Sequence, residues 1–207
     1  MRTAKDQNAQ YTARYRAVVM GGSAGGFDAL AAILLAFPPD FALPALVVQH
    51  LHPSDDASFA RRLARTTRLP MVEPCDKERI ERGRVYTAPA NYHMLVERNE
   101  TISLSVDQKV NWSRPSIDVL FESAARAWGG SVIAVILSGA SADGAEGMRG
   151  VKDAGGLTIA QEPASADSPL MPRAAIDTGA VDEALRPEEI GRRFLQLGSR
   201  NAECERA

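Results

Sequence analysis

The chain has 207 residues, enough for one ordinary domain and short for two. A composition of 45% hydrophobic and 24% charged residues describes a globular protein, and a net charge of -2 supplies no basic field for general nucleic-acid binding. Cys75 and Cys204 match no metal or redox spacing, only three histidines are available for a zinc cage, and no apolar run reaches the about 18 residues of a membrane span.

In chain order, Met1 to Tyr15 is polar and lacks the apolar centre of a signal peptide. The expectation is a polar tail over 1–15, one domain over 16–198 and a frayed tail over 199–207, in a reducing, cytoplasmic setting. Ala17-Val18-Val19-Met20 reads as a buried strand stopped by Gly21-Gly22. Phe27, Leu30, Ala31 and Leu34 then follow helical spacing up to Pro38-Pro39. The unit repeats with the run Ala45 to Val48 and a helix carrying Phe59, Ala60 and Leu63. The other side of that helix bears Arg61, Arg62, Arg65 and Arg68, either a solvated face or a docking face for an acidic partner. Met94 to Val96 and Ile102 to Val106 flank Asn99-Glu100 and predict a β-hairpin. Ile117, Leu120, Phe121, Ala124, Ala125 and Trp128 predict a helix, with Pro115 near its start and Gly129-Gly130 past its end. Val132 to Leu137 is a strand covered on both faces. A short helix with Met148 and Val151, a strand over Leu157 to Gln161, and a terminal helix with Ile190, Phe194 and Leu197 complete the chain. Strands alternating with helices predict an α/β fold: a doubly wound, mostly parallel, Rossmann-like sheet with an antiparallel hairpin near one edge.

In such sheets function sits at the carboxyl ends of the strands, and three polar segments fall there. Gly21-Gly22-Ser23-Ala24-Gly25 fits G-x-S-x-G between a strand and a helix. A sharp turn lifts the serine hydroxyl clear, and the helix amino terminus offers N–H groups to an oxyanion. A phosphate-binding loop and a plain tight turn are the competing readings, although neither G-x-G-x-x-G nor a Walker lysine is present. Gln49-His50-Leu51-His52 follows the second strand. His50, nearer the strand, is the candidate base, and His52 is expected to face solvent. Asp143, after the strand Val132 to Leu137, is either the carboxylate that orients His50 or an ordinary first-turn helix acid. The order Ser…His…Asp is not that of the α/β-hydrolases, but triads are defined by geometry rather than order.

These residues resemble the catalytic domain of the chemotaxis methylesterases, the CheB family. The similarity runs from about Val18 to Leu185. It is carried by Gly22-Ser23-Ala24-Gly25-Gly26, Val48-Gln49-His50, Ala88-Pro89-Ala90-Asn91-Tyr92-His93, Arg114 to Phe121, Leu137-Ser138-Gly139 with Asp143-Gly144-Ala145, and Met171-Pro172-Arg173. The resemblance implies a serine hydrolase, with Ser23 as nucleophile, His50 as base and Asp143 as its orienter, joined by two consecutive hydrogen bonds. It implies hydrolysis of glutamate γ-methyl esters on chemoreceptor helices, deamidation of receptor glutamines, and no cofactor or metal. Ala24, Gly25 and Ala140 are implied on the oxyanion side. Met171 and Arg173 belong to a motif closing over the same face. His93 is either substrate-positioning or a packed histidine satisfied by backbone, and Asp118 reads as a first-turn helix acid.

Two residues depart from the family pattern. Gly139-Ala140-Ser141 stands where Gly-Met-Gly is usual, and Ala24 stands where threonine is frequent. Both keep the backbone N–H and lose the larger side chain. Loss of one oxyanion donor costs a factor of about 100 to 1,000, so the competing expectation is a catalytically weakened scaffold or partner-binding domain. Fifteen polar residues cannot form the family's usual amino-terminal receiver domain, so the expectation is a fragment or a stand-alone member regulated otherwise.

Overall fold

The computed structural model describes residues 14–204, with side chains as far as residue 195. The first 13 residues of the expected polar tail and the last three of the chain lie outside that range. Tyr15, assigned to the tail from sequence, is buried against the core.

Three apolar runs make the centre of the sheet: β1 (Ala17–Gly22), β2 (Ala45–Gln49) and β7 (Val132–Ile136). Every residue of each is buried, as expected for parallel strands covered on both faces. The helices α1 (Gly26–Leu35), α2 (Ser58–Leu63) and α3 (Ile117–Trp128) follow the predicted stripes. The short strands β3 (Met71–Val72) and β4 (Val85–Thr87) extend one edge. On the other side come α4 (Ala145–Asp153), β8 (Leu157–Gln161), α5 (Leu170–Asp177) and β9 (Glu183–Leu185). The last helix, α6 (Pro187–Cys204), continues past Ser199, where fraying was expected. The seven-stranded sheet is parallel throughout, in the order β3-β4-β2-β1-β7-β8-β9.

Alternation along each strand feeds two cores. Val18 and Met20 join Ile133 and Val135 on the face covered by α1 and α6. There Phe37 and Phe41 stack at 4.0 Å between ring centres, and the Phe194 ring of α6 sets its edge against both. Ala17 and Val19 join Ala134 and Ile136 on the face covered by α3 and α4. The predicted hairpin is β5 (His93–Val96) with β6 (Ile102–Ser105), a two-stranded sheet of its own rather than a continuation of the main one. Met94, Val96 and Ile102 enter the α3-side core, and the Val96 N–H donates to Ser123 Oγ of α3 at 3.0 Å.

The chain leaves β1 for β2 on one side and returns to β7 on the other, so the strand order reverses between β1 and β7. That reversal opens a crevice at the carboxyl ends of these strands, the usual site of function in such a sheet. Among the described residues no helix is long and apolar enough to cross a membrane.

Candidate active site

The parallel ladders run one residue past the strands. Ser23 N–H donates to Ser138 O on the β7 side at 2.9 Å, and His50 N–H donates to Gly22 O at 3.0 Å. Hydrogen bonds of the sheet itself thus place Ser23 and His50 side by side on adjacent strand ends. The turn after Ser23 closes with Gly26 N–H donating to Ser23 O at 2.9 Å. Gly25 adopts a φ of 74°, and a Cβ there would lie 2.7 Å from Ser138 Oγ and 2.6 Å from Asp167 Cβ, so only glycine fits.

Side chains that end the apolar strands brace this turn. Gln49 Nε2 donates to Ser23 O at 2.6 Å. Ser138 Oγ donates to Ala24 O at 2.7 Å and accepts the Ser168 N–H at 2.9 Å. Gln161, at the end of β8, accepts the Ser138 N–H at 2.8 Å and donates to Ser165 O at 3.0 Å. The sequence signal for these braces is a polar residue closing an otherwise apolar, buried strand.

Asp143 is fully buried, and its carboxylate sits at the amino terminus of α3. Oδ2 accepts from His50 Nε2 at 2.8 Å and from the Ile117 N–H at 2.7 Å. Oδ1 accepts from Ser116 Oγ at 2.8 Å, Asn111 Nδ2 at 2.9 Å and the Asp118 N–H at 3.3 Å. Burial would raise its pKa, but hydrogen bonds from His50, Asn111, Ile117 and Ser116 together hold it below the usual carboxylate range. Asp143 is therefore an acceptor, and His50 Nε2 carries the proton between them. The free lone pair of His50 is on Nδ1, which Ser113 Oγ approaches at 3.4 Å. Of the two consecutive bonds expected, the His50–Asp143 one is made; among the described residues none joins Ser23 Oγ to His50. Such bonds are often loose in free hydrolases and tighten with substrate.

On the other side of Ser23, the N–H groups of Ala24, Gly25 and Ala140 have no backbone acceptor among the described residues, whereas that of Ser23 is used up in the sheet. Met171 is buried close to Ser23. A Cβ at Gly139 would lie 2.5 Å from Met171 Cε and 3.0 Å from Ser23 Cβ. Arg173 is exposed and, with Ala140, Ser168 and Leu170, lines an open groove of about 510 Å³ that leads away from the site. The crevice therefore offers a hydroxyl, a base with an oriented ring, a buried anion behind it, and free N–H groups opposite.

The structure decides between the two readings of His93 and adds to the account of Asp118. His93 is 2% exposed and cannot touch a substrate: Nδ1 accepts the Ser116 N–H at 3.2 Å and Nε2 faces Gln108 O at 3.0 Å, so backbone occupies both ring nitrogens. Asp118 is an acid of the first turn of α3, as expected, but a buried one. It is 5% exposed, and burial, reinforced by the neighbouring Asp143 charge, pushes its pKa up to about 6 against hydrogen bonds from Gly147 and Asn111. Asn111, Ser113 and Ser116, unremarked in the sequence, all reach the His50–Asp143 pair. His52 is exposed as expected and bonds to Ser54. On α2 and beyond it the four arginines are exposed: Arg61 pairs with Asp56, and the Arg62 guanidinium lies 3.8 Å from the Phe27 ring centre. Among the described residues no group of three His, Cys, Asp or Glu side chains is placed to hold a metal ion.

Residues 18–194 match the model of the CheB methylesterase family. The chain belongs to that family. A relative from Leptospira interrogans is 43% identical over 189 residues, 91% of this chain and 98% of its own. The protein-glutamate methylesterase/protein-glutamine glutaminase 2 of Anaeromyxobacter dehalogenans is 41% identical over 197 residues, and the match spans 95% of this chain but 58% of that longer protein. The crystal structure of the Thermotoga maritima CheB methylesterase catalytic domain superposes with a TM-score of 0.84 at 34% identity, covering 88% of this chain and 98% of that one.

Proposed function

We propose that this protein is a protein-glutamate methylesterase, hydrolysing glutamate γ-methyl esters on the cytoplasmic helices of chemoreceptors and deamidating glutamines at equivalent positions. The observation that carries the reading is the 2.8 Å bond from His50 Nε2 to the buried Asp143, at the strand end next to Ser23 in its glycine turn. The names of the relatives support the ester and amide substrates.

Ser23 Oγ attacks the ester carbonyl while His50 Nδ1 accepts its proton. Asp143 stabilises the imidazolium through Nε2. The oxyanion is received by the free N–H groups of Ala24, Gly25 and Ala140. The C–O bond then breaks, His50 returns the proton to the departing methoxide, and methanol leaves a Ser23 acyl-enzyme. Water, deprotonated by His50, releases glutamate and restores the serine. With glutamine the leaving group is ammonia. The reaction uses no cofactor, and the groove at Arg173, which shares Ala140 with the site, can take the rest of the substrate.

Methanol release from methylated receptor tests the reading, with Ser23→Ala expected to abolish it in a protein that melts normally. Activity retained in that variant would sink the triad. The open Ser23–His50 gap and the small Ala140 favour a second reading, a weakened scaffold. A fluorophosphonate probe separates the two: labelling at Ser23 supports the enzyme, and no labelling in folded protein supports the scaffold.

A further inference from the structure

Behind the His50–Asp143 pair lies a second buried carboxylate that the reaction as written does not use. Asp118 Oδ1 accepts the Gly147 N–H at 2.7 Å, and Oδ2 accepts Asn111 Nδ2 at 2.7 Å. The same Asn111 nitrogen lies 2.9 Å from Asp143 Oδ1, so its two hydrogens serve one carboxylate each. Asn111 is presented by a tight turn: Val110 and Ser113 exchange N–H···O bonds of 3.2 and 2.9 Å, with Asn111 and Trp112 between them at φ of 49° and 64°. Positive φ at both central residues is the geometry of a two-residue hairpin, and asparagine tolerates it well. Arg114 anchors the turn's base by donating to Val106 O and Asp107 O.

We propose that Asn111 and Asp118 form a positioning unit for the catalytic relay: ionised Asp118 fixes the Asn111 amide, whose second N–H holds Asp143 against His50. The proposal rests on the Ser23–His50–Asp143 reading. A protonated Asp118 keeps acceptor capacity for Gly147 and Asn111 but loses the charge that strengthens both bonds. The Asn111 amide is then held less firmly, and its second N–H holds Asp143 less firmly with it. The charged groups facing Asp118 are Asp143 from the β7–α4 loop and Glu122 one turn along α3. From α4 it meets the Gly147 N–H, and His50, just past the end of β2, stands beyond Asp143. Because Asp118 is raised to about 6, the unit ties activity to pH through a group other than the base.

The test is the pH profile of hydrolysis of a methyl-esterified glutamate peptide by the full chain. In the unmodified protein the acid limb of kcat/KM should be steeper than a single ionisation. Asp118→Asn should reduce that limb to one ionisation and lower kcat about 10- to 100-fold, the size of one hydrogen bond to a charged group, with KM little changed. Asn111→Ala should give the same loss. The double variant should lose no more than the worse single one, because both break one unit. Melting at pH 8 should be no lower in Asp118→Asn, which removes a buried charge. Unchanged kcat and pH profile in both variants, or additive losses that track lowered melting, would overturn the proposal. Ser23→Ala run alongside separates the layers: if it stays active the triad reading fails, and if it is dead while Asp118→Asn is normal, only the positioning unit fails.

Discussion

The two sides of the crevice are built on opposite terms. On the acid side, Asp143 is fully buried and ringed by donors from His50, Asn111, Ser116 and the first turn of α3. On the nucleophile side, Ala24 and Ala140 are exposed, and their N–H groups have no backbone acceptor among the described residues. A charge kept away from water is tolerable only when its lone pairs are satisfied, so that half must be complete before substrate arrives. The other half must receive atoms that are not yet there, and its donors stand open for that reason.

The contrast can be broken from either side. Ser23→Ala should show the largest effect, a loss of at least about 10,000-fold in ester hydrolysis with melting unchanged, since the open side contributes chemistry rather than stability. Asp143→Asn should lose about 10,000-fold as well, because an amide in place of the carboxylate favours the wrong imidazole tautomer. Unlike Ser23→Ala it should also cost about 3 kcal/mol or more in denaturant unfolding, because donors aimed at a buried carboxylate would meet an N–H. If Asp143→Asn melts like the parent, the acid side is not the rigid half. Gly139→Ala should push on Met171 and Ser23 together and lower kcat about 100-fold, the penalty of a small misplacement at the reacting atom. The smallest effect should come from Trp112→Ala. Trp112 is 94% exposed next to Asn111, so KM for a methylated receptor should rise about three- to tenfold while hydrolysis of a small ester is unaffected.

The two buried carboxylates carry opposite pH signatures. Asp143 lies below the ordinary carboxylate range, so its stabilising contribution is present above that range and fades as pH falls through its lowered folded value. Asp118, raised to about 6, favours the fold below the ordinary carboxylate range and loses that contribution as pH rises through about 6. Asp118→Asn should therefore flatten the stability profile between about pH 4 and pH 6, measured by melting from pH 4 to pH 8.

Much of this architecture was legible as sequence. Unbroken apolar runs bounded by glycine, such as Val132 to Ile136, identify central strands, because only a strand covered on both faces needs no polar residue. The strands β3, β4 and β9 have two or three residues each, too few for any period to register, and exist because a neighbouring strand offers its edge. Ser23, His50 and Asp143 were accessible because each follows a strand of one sheet, so topology alone gathers them. Asn111, Ser113 and Ser116 were not. They reach the site from a hairpin turn and a helix start, and nothing local in an Asn-Trp-Ser segment says which carboxylate it will meet. The burial of Asp118 was not legible for a related reason: a first-turn acid looks the same in sequence whether water or α4 covers it.

The ladder bonds that seat Ser23 against Ser138 and His50 against Gly22 have one more consequence. Ser23 and His50 hold their relative position by the same hydrogen bonds that define strand pairing. A slip of β2 by one residue would bring Gln49 or Leu51 to the place of His50 and turn the strand's side chains over. Ester turnover is thus a report on strand alignment: during refolding it should return only when β2, β1 and β7 have locked, later than compaction or helix content.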